Sequence, residues 1–369
     1  MIVVMEEQTT DAQVTAVMAK IVELGFDIYR TTGARYTILG AVGTRNIEAR
    51  DVEALEMLDG VKVVVRISGD SVKRIKRQAA VRPALNPAVH CKHISIFGVG
   101  LIGGSFALAA RYAGIAGRIT GCGDRKFLED ALSLKVIDGI DEAFAVNAVS
   151  DADFIYLAAP VSAIVDFLNT QGKFIKAGAI VTDAGSVKQE ICRVARDVLP
   201  DTVHFVGGHP MAGSHRVGVE FANADLFKNA PYAIIEGASG AATEKVIAVV
   251  EAIGSRVVTL TAERHDEIAA LVSHTPQLVS TALANVLAHH ADATALELAG
   301  SGFADMTRLA RSSWGIWEDI VSANRESIVS ALSEVIIELQ QMRDRMENGQ
   351  LEEIGEAFRA ANEFLHDTV

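Results

Sequence analysis

A buried-type strand, His93-Ile94-Ser95-Ile96-Phe97, runs directly into Gly98-Val99-Gly100-Leu101-Ile102-Gly103 and then into a helical stretch over residues 104–112. No other stretch limits the fold so tightly. A bare G-x-G-x-x-G is a weak signal, but strand, glycine loop and helix in this order are the context its mechanism requires. The first glycine makes the turn, the second lets the backbone approach a pyrophosphate, and the third lets helix and strand pack closely, with the phosphate at the helix N-terminus. A second strand, residues 118–122, ends at Gly123-Asp124-Arg125. That is about 20 residues past the last glycine, where an acidic group accepts from the ribose hydroxyls. The expectation is a Rossmann domain holding a dinucleotide. Asp124 favours NAD, because a 2′-phosphate there meets like charge. Arg125 beside it suits such a phosphate, so NADP stays open.

Further strands fit the same sheet. Residues 154–159 end at Pro160, residues 179–182 end at Asp183-Ala184-Gly185-Ser186-Val187-Lys188, and the apolar run 203–206 ends at Gly207-Gly208-His209-Pro210-Met211-Ala212-Gly213-Ser214. Ligands in such folds bind beyond the carboxyl ends of the parallel strands. One crevice is therefore expected to collect Pro160, Ser186 and His209, with the glycines around His209 allowing close approach of backbone to ligand. Each residue has a plainer alternative: a turn proline, an N-cap for a helix over 187–199, and a loop histidine bonded to its own backbone.

The residues on either side form separate blocks. Over residues 1–70 the pattern is β-α-β-β-α-β: strands 1–5, 27–32, 36–42 and 61–67, helices 11–24 and 49–58. That is the order of a ferredoxin-like, split βαβ domain. Residues 71–92 carry Pro83, Pro87 and the basic run Lys73-Arg74-Ile75-Lys76-Arg77 and read as a linker. Residues 93–260 are assigned to the Rossmann domain and 261–369 to an all-helical domain. In the helical block, residues 268–289 are apolar on most faces and read as a buried helix kinked at Pro276. A stripe of Ile328, Leu332, Val335, Ile336, Leu339 and Met342 leads to Asn348-Gly349 and a last helix. So much apolar helix surface exceeds what one sheet needs, and a homodimer is expected.

The 369 residues carry 34 Lys and Arg against 47 Asp and Glu, a net charge of −13. That balance argues against nucleic acid or an anionic membrane as partner. No apolar run reaches the ~20 residues of a membrane span. Met1–Met5 is followed at once by two glutamates, so no signal peptide is expected. The three cysteines, Cys91, Cys122 and Cys192, lack metal-ligand spacing and read as free thiols of a cytoplasmic protein, with no metal site.

Six motifs in order, GVGLIGGS, LAAPV, DAGSVK, GGHPMAGSH, SHTPQ and GFADMTRLARSSWGIW, resemble those of the prephenate dehydrogenase family from about residue 93 to 324. The resemblance implies NAD-dependent oxidative decarboxylation of prephenate to 4-hydroxyphenylpyruvate for tyrosine synthesis. It implies that His209 is the base that takes the ring-hydroxyl proton and that Ser186 helps position that hydroxyl and the nicotinamide. Arg308, in Asp305-Met306-Thr307-Arg308, then corresponds to the arginine that binds a substrate carboxylate. His274 matches the first histidine of the family's SHxPH motif, and Trp317 a tryptophan that reaches the site from across the dimer. Two positions depart from the common pattern: Gln277 replaces the second histidine of that motif, and His215 stands where many relatives have an acidic residue. Both leave prephenate against arogenate open. The chemistry agrees independently, since a neutral histidine accepts a hydroxyl proton and arginine suits planar recognition of a carboxylate. A reading from another class is a dinucleotide-binding regulator without turnover. Residues 1–70 resemble the ferredoxin-like domain of deoxy-arabino-heptulosonate phosphate synthases, which implies tyrosine or phenylalanine as effector.

Overall fold

The computed structural model describes residues 2–6, 9–32, 37–42, 54–55, 57–65, 74–76, 78–79, 84–142, 149–213, 216–237, 240–290, 294 and 297–368. The chain divides into two compact units, Met1–Arg74 and Ile75–Val369.

The first unit contains β1 (Ile2–Met5), β2 (Asp27–Thr32), β3 (Thr37–Val42) and β4 (Val61–Val65) in an antiparallel sheet of order β2-β3-β1-β4. The helix Asp11–Glu23 opens on a capping box, in which the Thr10 side chain accepts from Gln13 N and the Gln13 side chain accepts from Thr10 N. It packs Val14, Val17 and Ile21 against Val3, Met5, Leu39 and Val64 of the sheet. Strand order and alternation are those expected of a ferredoxin-like domain. The helix expected over 49–58 falls mostly outside the described residues.

The second unit is built on a six-stranded parallel sheet: β5 (Cys91–Phe97), β6 (Ala116–Gly123), β7 (Gly139–Glu142), β8 (Phe154–Leu157), β9 (Ile180–Asp183) and β10 (His204–Val206), in the order β10-β9-β8-β5-β6-β7. Order reverses between β5 and β8, the switch point at which doubly wound sheets bind ligands. Helices cover both faces, so the central strands are apolar throughout; all four residues of β8 are buried. A second, three-stranded sheet follows: β11 (Gly208–Pro210) pairs antiparallel with β12 (Pro231–Ile235), which pairs parallel with β13 (Arg256–Leu260). The sequence reading did not assign β7 or these three strands.

The stretch 71–92, expected as a linker, is divided by the boundary between units. Ile75 and Ala79 are buried, and Gln78 Nε2 donates to Asn223 Oδ1 while Gln78 Oε1 accepts from Ala224 N. Residues from Ile75 on belong to the second unit, where burial of the two apolar side chains is favourable and the paired Gln78 amide keeps its hydrogen bonds.

From Ala262 the described residues are mainly helical. Ala262–Ala269, a π-helical turn Ala270–His274 and Thr275–His290 run on without a break. Pro276 has no N–H and its ring crowds the carbonyl four residues back; the expected kink is realised as the wider turn, in which Thr275 N bonds Ala270 O. The expectation of a buried helix here is not met. Thr275, Gln277 and Ser280 are buried, whereas Leu271, Val272, Leu283 and Val286 are exposed. Apolar side chains are also exposed along Arg325–Glu347 and Leu351–Thr368, Ile337, Leu339, Phe358 and Phe364 among them. One side of the helical block does pack inward: Ile320 of the helix Trp314–Ala323 enters the core of the parallel sheet beside Phe167 and Ile191. Among the described residues no helix is long and apolar enough to cross a membrane.

Candidate active site

The glycine loop does what its spacing requires. Gly98 has φ +88°, and a Cβ there would run into the Ala158 carbonyl; one on Gly103 would run into the carbonyl of Gly98. Gly100 has nothing within 4 Å of the place its Cβ would take. Protein packing thus demands the first and third glycines but not the second, which borders open space at the start of the helix Leu101–Tyr112. That helix begins inside the loop, earlier than residue 104, and Gly100 provides no side-chain cap for its first N–H groups. An uncapped helix start beside a vacant glycine fits a pyrophosphate. Val99 is buried behind the loop, while Leu101 and Ile102 are half-buried on it. Asp124 follows β6 directly and is exposed, its Oδ1 accepting from Lys126 N as N-cap of Arg125–Ser133. Arg125 Nε donates to Glu129 Oε1 in an exposed pair. Pro160 is the exposed N-cap of Val161–Gln171, at the end of β8.

Ser186 is half-buried beyond β9 and does not cap a helix. The helix starts later, at Gln189, and its first N–H groups are held from another element: Asp266 Oδ1 accepts from Lys188 N (2.7 Å) and Oδ2 from Gln189 N (2.9 Å).

His209 lies on β11 and is 8% exposed. Its backbone is fixed by a buried ion pair. Lys188 Nζ bonds the carboxylate of Asp183 and donates to Gly208 O (2.7 Å), while Asp183 Oδ1 accepts from Gly208 N (3.0 Å). Both polar groups of the residue preceding His209 are therefore clamped. Gly207 and Gly208 serve this packing. A Cβ on Gly208 would lie 2.8 Å from Asp183 O, and one on Gly207 2.8 Å from Cys192 Sγ. The His209 side chain is held by a chain of rings: its Nδ1 lies 2.8 Å from His265 Nε2, and His265 Nδ1 lies 2.7 Å from Asp266 Oδ1. Burial, with His265, Lys188 and His274 nearby, holds His209 well below its ordinary value of 6.5, so the ring is neutral at neutral pH.

His274 joins the same cluster through the π turn. Asn324 Nδ2 donates to Asp266 O (2.7 Å), which identifies it as the amide nitrogen, and lies 3.2 Å from His274 Nδ1. His274 Nδ1 is then the acceptor and Nε2 carries the proton. That Nε2 is buried and has no hydrogen-bond partner among the described residues. Burial lowers the His274 pKa to about 4, so this ring too is neutral. Trp317, expected to arrive from a partner subunit, packs edge-on against His274 of its own chain, with centroids 5.9 Å apart. Its indole fills the gap between that ring and the sheet core.

Gln277 Nε2 donates to Leu309 O (2.9 Å) and so ties down the loop that follows Arg308. Ser280 Oγ accepts from Ala310 N in the same loop. Arg308 and Asp305 are exposed at the end of Ser301–Thr307 and make no side-chain contact with His209. His215 lies outside the described residues. The structure thus brings His209 and His274 together and adds Asp183, Lys188, His265, Asp266 and Asn324, which sequence reasoning missed. Asp183 and Lys188 stand within the DAGSVK motif; Arg264-His265-Asp266 carries a His-Asp pair, but nothing local in the chain shows it to be buried. The three cysteines are unpaired, and burial pushes the Cys192 thiol up to about 12. Among the described residues no group of three or more His, Cys, Asp or Glu is placed to hold a metal ion.

A parallel sheet with a glycine loop at its switch point, and neutral buried histidines near its carboxyl edge, defines a dehydrogenase of the Rossmann class that uses a nicotinamide dinucleotide. The chain belongs to the prephenate dehydrogenase family. Residues 106–259 match that family's nucleotide-binding domain and residues 261–360 its dimerization domain, while residues 1–69 match the ferredoxin-like domain of DAHP synthase. Prephenate dehydrogenase of Bacillus subtilis is 34% identical over 278 residues, which cover 73% of this chain and 74% of that one. The crystal structure of Aquifex aeolicus prephenate dehydrogenase in complex with hydroxyphenyl propionate and NAD+ superposes with a TM-score of 0.70 and 28% identity, covering 75% of this chain and 98% of that chain. Synechocystis arogenate dehydrogenase gives 0.64 at 28% identity, covering 75% of this chain and all of the other.

The loop geometry separates two roles for glycine. Gly100→Ala is expected to fold normally and to weaken NAD binding about tenfold or more, 1.4 kcal/mol or above. Gly103→Ala is expected to destabilise the unit itself. Cofactor titration by protein fluorescence, read beside urea unfolding, checks both; a Gly100 variant with unchanged NAD affinity would contradict the assignment.

Proposed function

We propose that the chain catalyses the NAD-dependent oxidative decarboxylation of prephenate to 4-hydroxyphenylpyruvate, with His209 as general base. The observation that carries this reading is the neutral, buried His209, whose Nε2 has no partner among the described residues, beyond the carboxyl edge of the nucleotide-binding sheet. NAD, when bound, supplies the hydride acceptor. Gly98–Gly103 and the start of the helix behind them would hold its pyrophosphate, and Asp124 would accept from the ribose hydroxyls, which favours NAD over NADP. Pro160 and Ser186 border the nicotinamide end.

His209 Nε2 takes the proton of the ring hydroxyl as that carbon gives up hydride. The ketone so formed loses its ring carboxylate as carbon dioxide, and the freed electron pair makes the ring aromatic. The proton on His209 returns to the phenolate oxygen, so the base ends the cycle as it began. His274 Nε2–H donates to the substrate, which accounts for a buried donor otherwise unpaired. Arg308 binds a carboxylate, with Asp305 beside it, and Gln277 sets the loop that carries Arg308. Trp317 walls the site against His274.

A second reading is arogenate as substrate. Gln277, an uncharged amide that donates to Leu309 O, stands where the family's motif has a histidine and leaves that choice open. Rates with prephenate and arogenate at matched concentrations, each with NAD and NADP, decide between them. Prephenate with NAD is expected to be fastest, and faster turnover of arogenate would reassign the substrate.

The exposed apolar sides of the C-terminal helices are proposed to meet in a homodimer, and the first unit to bind tyrosine or phenylalanine as a feedback effector. Because Ile75 and Gln78 belong to the second unit, a truncation should begin at Ile75. Deleting residues 1–74 is expected to leave an active enzyme that tyrosine and phenylalanine no longer inhibit. Identical inhibition of truncated and full-length enzyme would remove the first unit as the sensor.

A further inference from the structure

The hydrogen bonds behind His209 determine more than its position. Asp266 Oδ1 accepts from Lys188 N and Oδ2 from Gln189 N, so both oxygens already face donors. As a carboxylate, Asp266 accepts on both oxygens and donates on neither. His265 Nδ1, 2.7 Å from Oδ1, must therefore carry a proton. With Nδ1 alone protonated, His265 keeps its lone pair on Nε2. His209 Nδ1, 2.8 Å away, must donate to it, and the lone pair of His209 is left on Nε2.

We propose that His265 is a positioning residue for the reaction. Through its own bond to Asp266 it selects the His209 tautomer whose Nε2 is able to take the substrate's proton. The inference deepens the reading of His209 as base and rests on it. The two rings are 63° apart in plane with centroids 5.0 Å apart, an edge approach that suits an in-plane N–H to meet a lone pair. The pattern is the one by which a carboxylate holds a catalytic imidazole in the working tautomer, here lengthened by one ring. Asp266 also closes the start of the helix Gln189–Val198 and, through its carbonyl, holds Asn324. The same residue therefore ties the tautomer to the packing of sheet against helices.

Two measurements test this. In the full-length wild-type enzyme labelled with 15N-histidine, long-range proton–nitrogen correlations report which ring nitrogen of each histidine bears the proton, and His209→Asn assigns the His209 signals. His209 is expected to be protonated on Nδ1 and bare on Nε2. Kinetically, His265→Leu is expected to lower kcat about 10- to 100-fold, the usual size for loss of an outer partner, with KM for prephenate and for NAD little changed. His265→Gln places Oε1 where Nε2 stands and is expected to restore most of the loss. A proton on His209 Nε2 in the wild type would overturn the proposal, as would a His265→Leu enzyme with undiminished kcat. If the leucine variant folds poorly, the tautomer of the wild type decides alone. A bare Nε2 together with an active His209→Asn enzyme would instead refute the base while leaving the tautomer argument intact.

Discussion

His209→Asn is expected to lower kcat by about 10²–10⁴-fold, the range that a positioned general base contributes, while NAD affinity stays near that of the native enzyme. The substitution is selective because of where the contacts lie. Asparagine keeps a donor at the δ position, where His209 Nδ1 meets His265, and removes only the outer nitrogen. The backbone of Gly208 remains clamped by Asp183 and Lys188. The cofactor loop is built from different residues and is untouched. In the native enzyme the rate should hold through neutral pH and fall only in acid. The unprotonated ring is the active form, and burial keeps its pKa well below 6.5, so falling pH silences it late. Stopped-flow NADH formation across pH checks both statements. A variant that keeps most of its activity would remove His209 from the chemistry.

Lys188→Met is expected to cost about 3–5 kcal/mol of stability, the penalty for removing one partner of a buried ion pair. Lys188 and Asp183 are both fully buried. Methionine fills much the same volume but leaves the Asp183 carboxylate without its counter-charge and the Gly208 carbonyl without its donor. Asp183 would still accept from Gly185 N and Gly208 N, which softens the loss without cancelling the charge. A second effect follows from position. Gly208 precedes His209, so a relaxed clamp should lower kcat in whatever fraction stays folded. Urea unfolding at neutral pH measures the first effect. A loss of about 1 kcal/mol or less, the size of an exposed pair, would contradict the clamp.

The cofactor side of this site was readable from the chain because its causes are local. Gly98, Gly100 and Gly103 lie within six residues, strand and helix flank them directly, and Asp124 follows at the expected distance. The ferredoxin-like order of the first unit was legible for the same reason, each strand being marked by alternation and bounded by turns. What stayed hidden depends on contacts between distant segments. Asp183 and Lys188 look like ordinary surface charges until Gly208 closes over them, 20 residues on from Lys188. Asp266 caps a helix 77 residues before it in the chain, and no periodicity announces that. Gly207 and Gly208 stand against Cys192 and Asp183, which the chain alone does not show, because a glycine shows that something comes close and not what. The helix after Pro276 was misjudged in burial for a related reason. Apolar faces read the same in a chain whether they pack within the subunit or wait for another one.

The most direct test of the central claim is the stoichiometry of the uninhibited full-length enzyme with prephenate and NAD. Prephenate-dependent NADH is expected, with one carbon dioxide released for each and 4-hydroxyphenylpyruvate as the organic product. No prephenate-dependent NADH, or NADH formed without carbon dioxide, would contradict it.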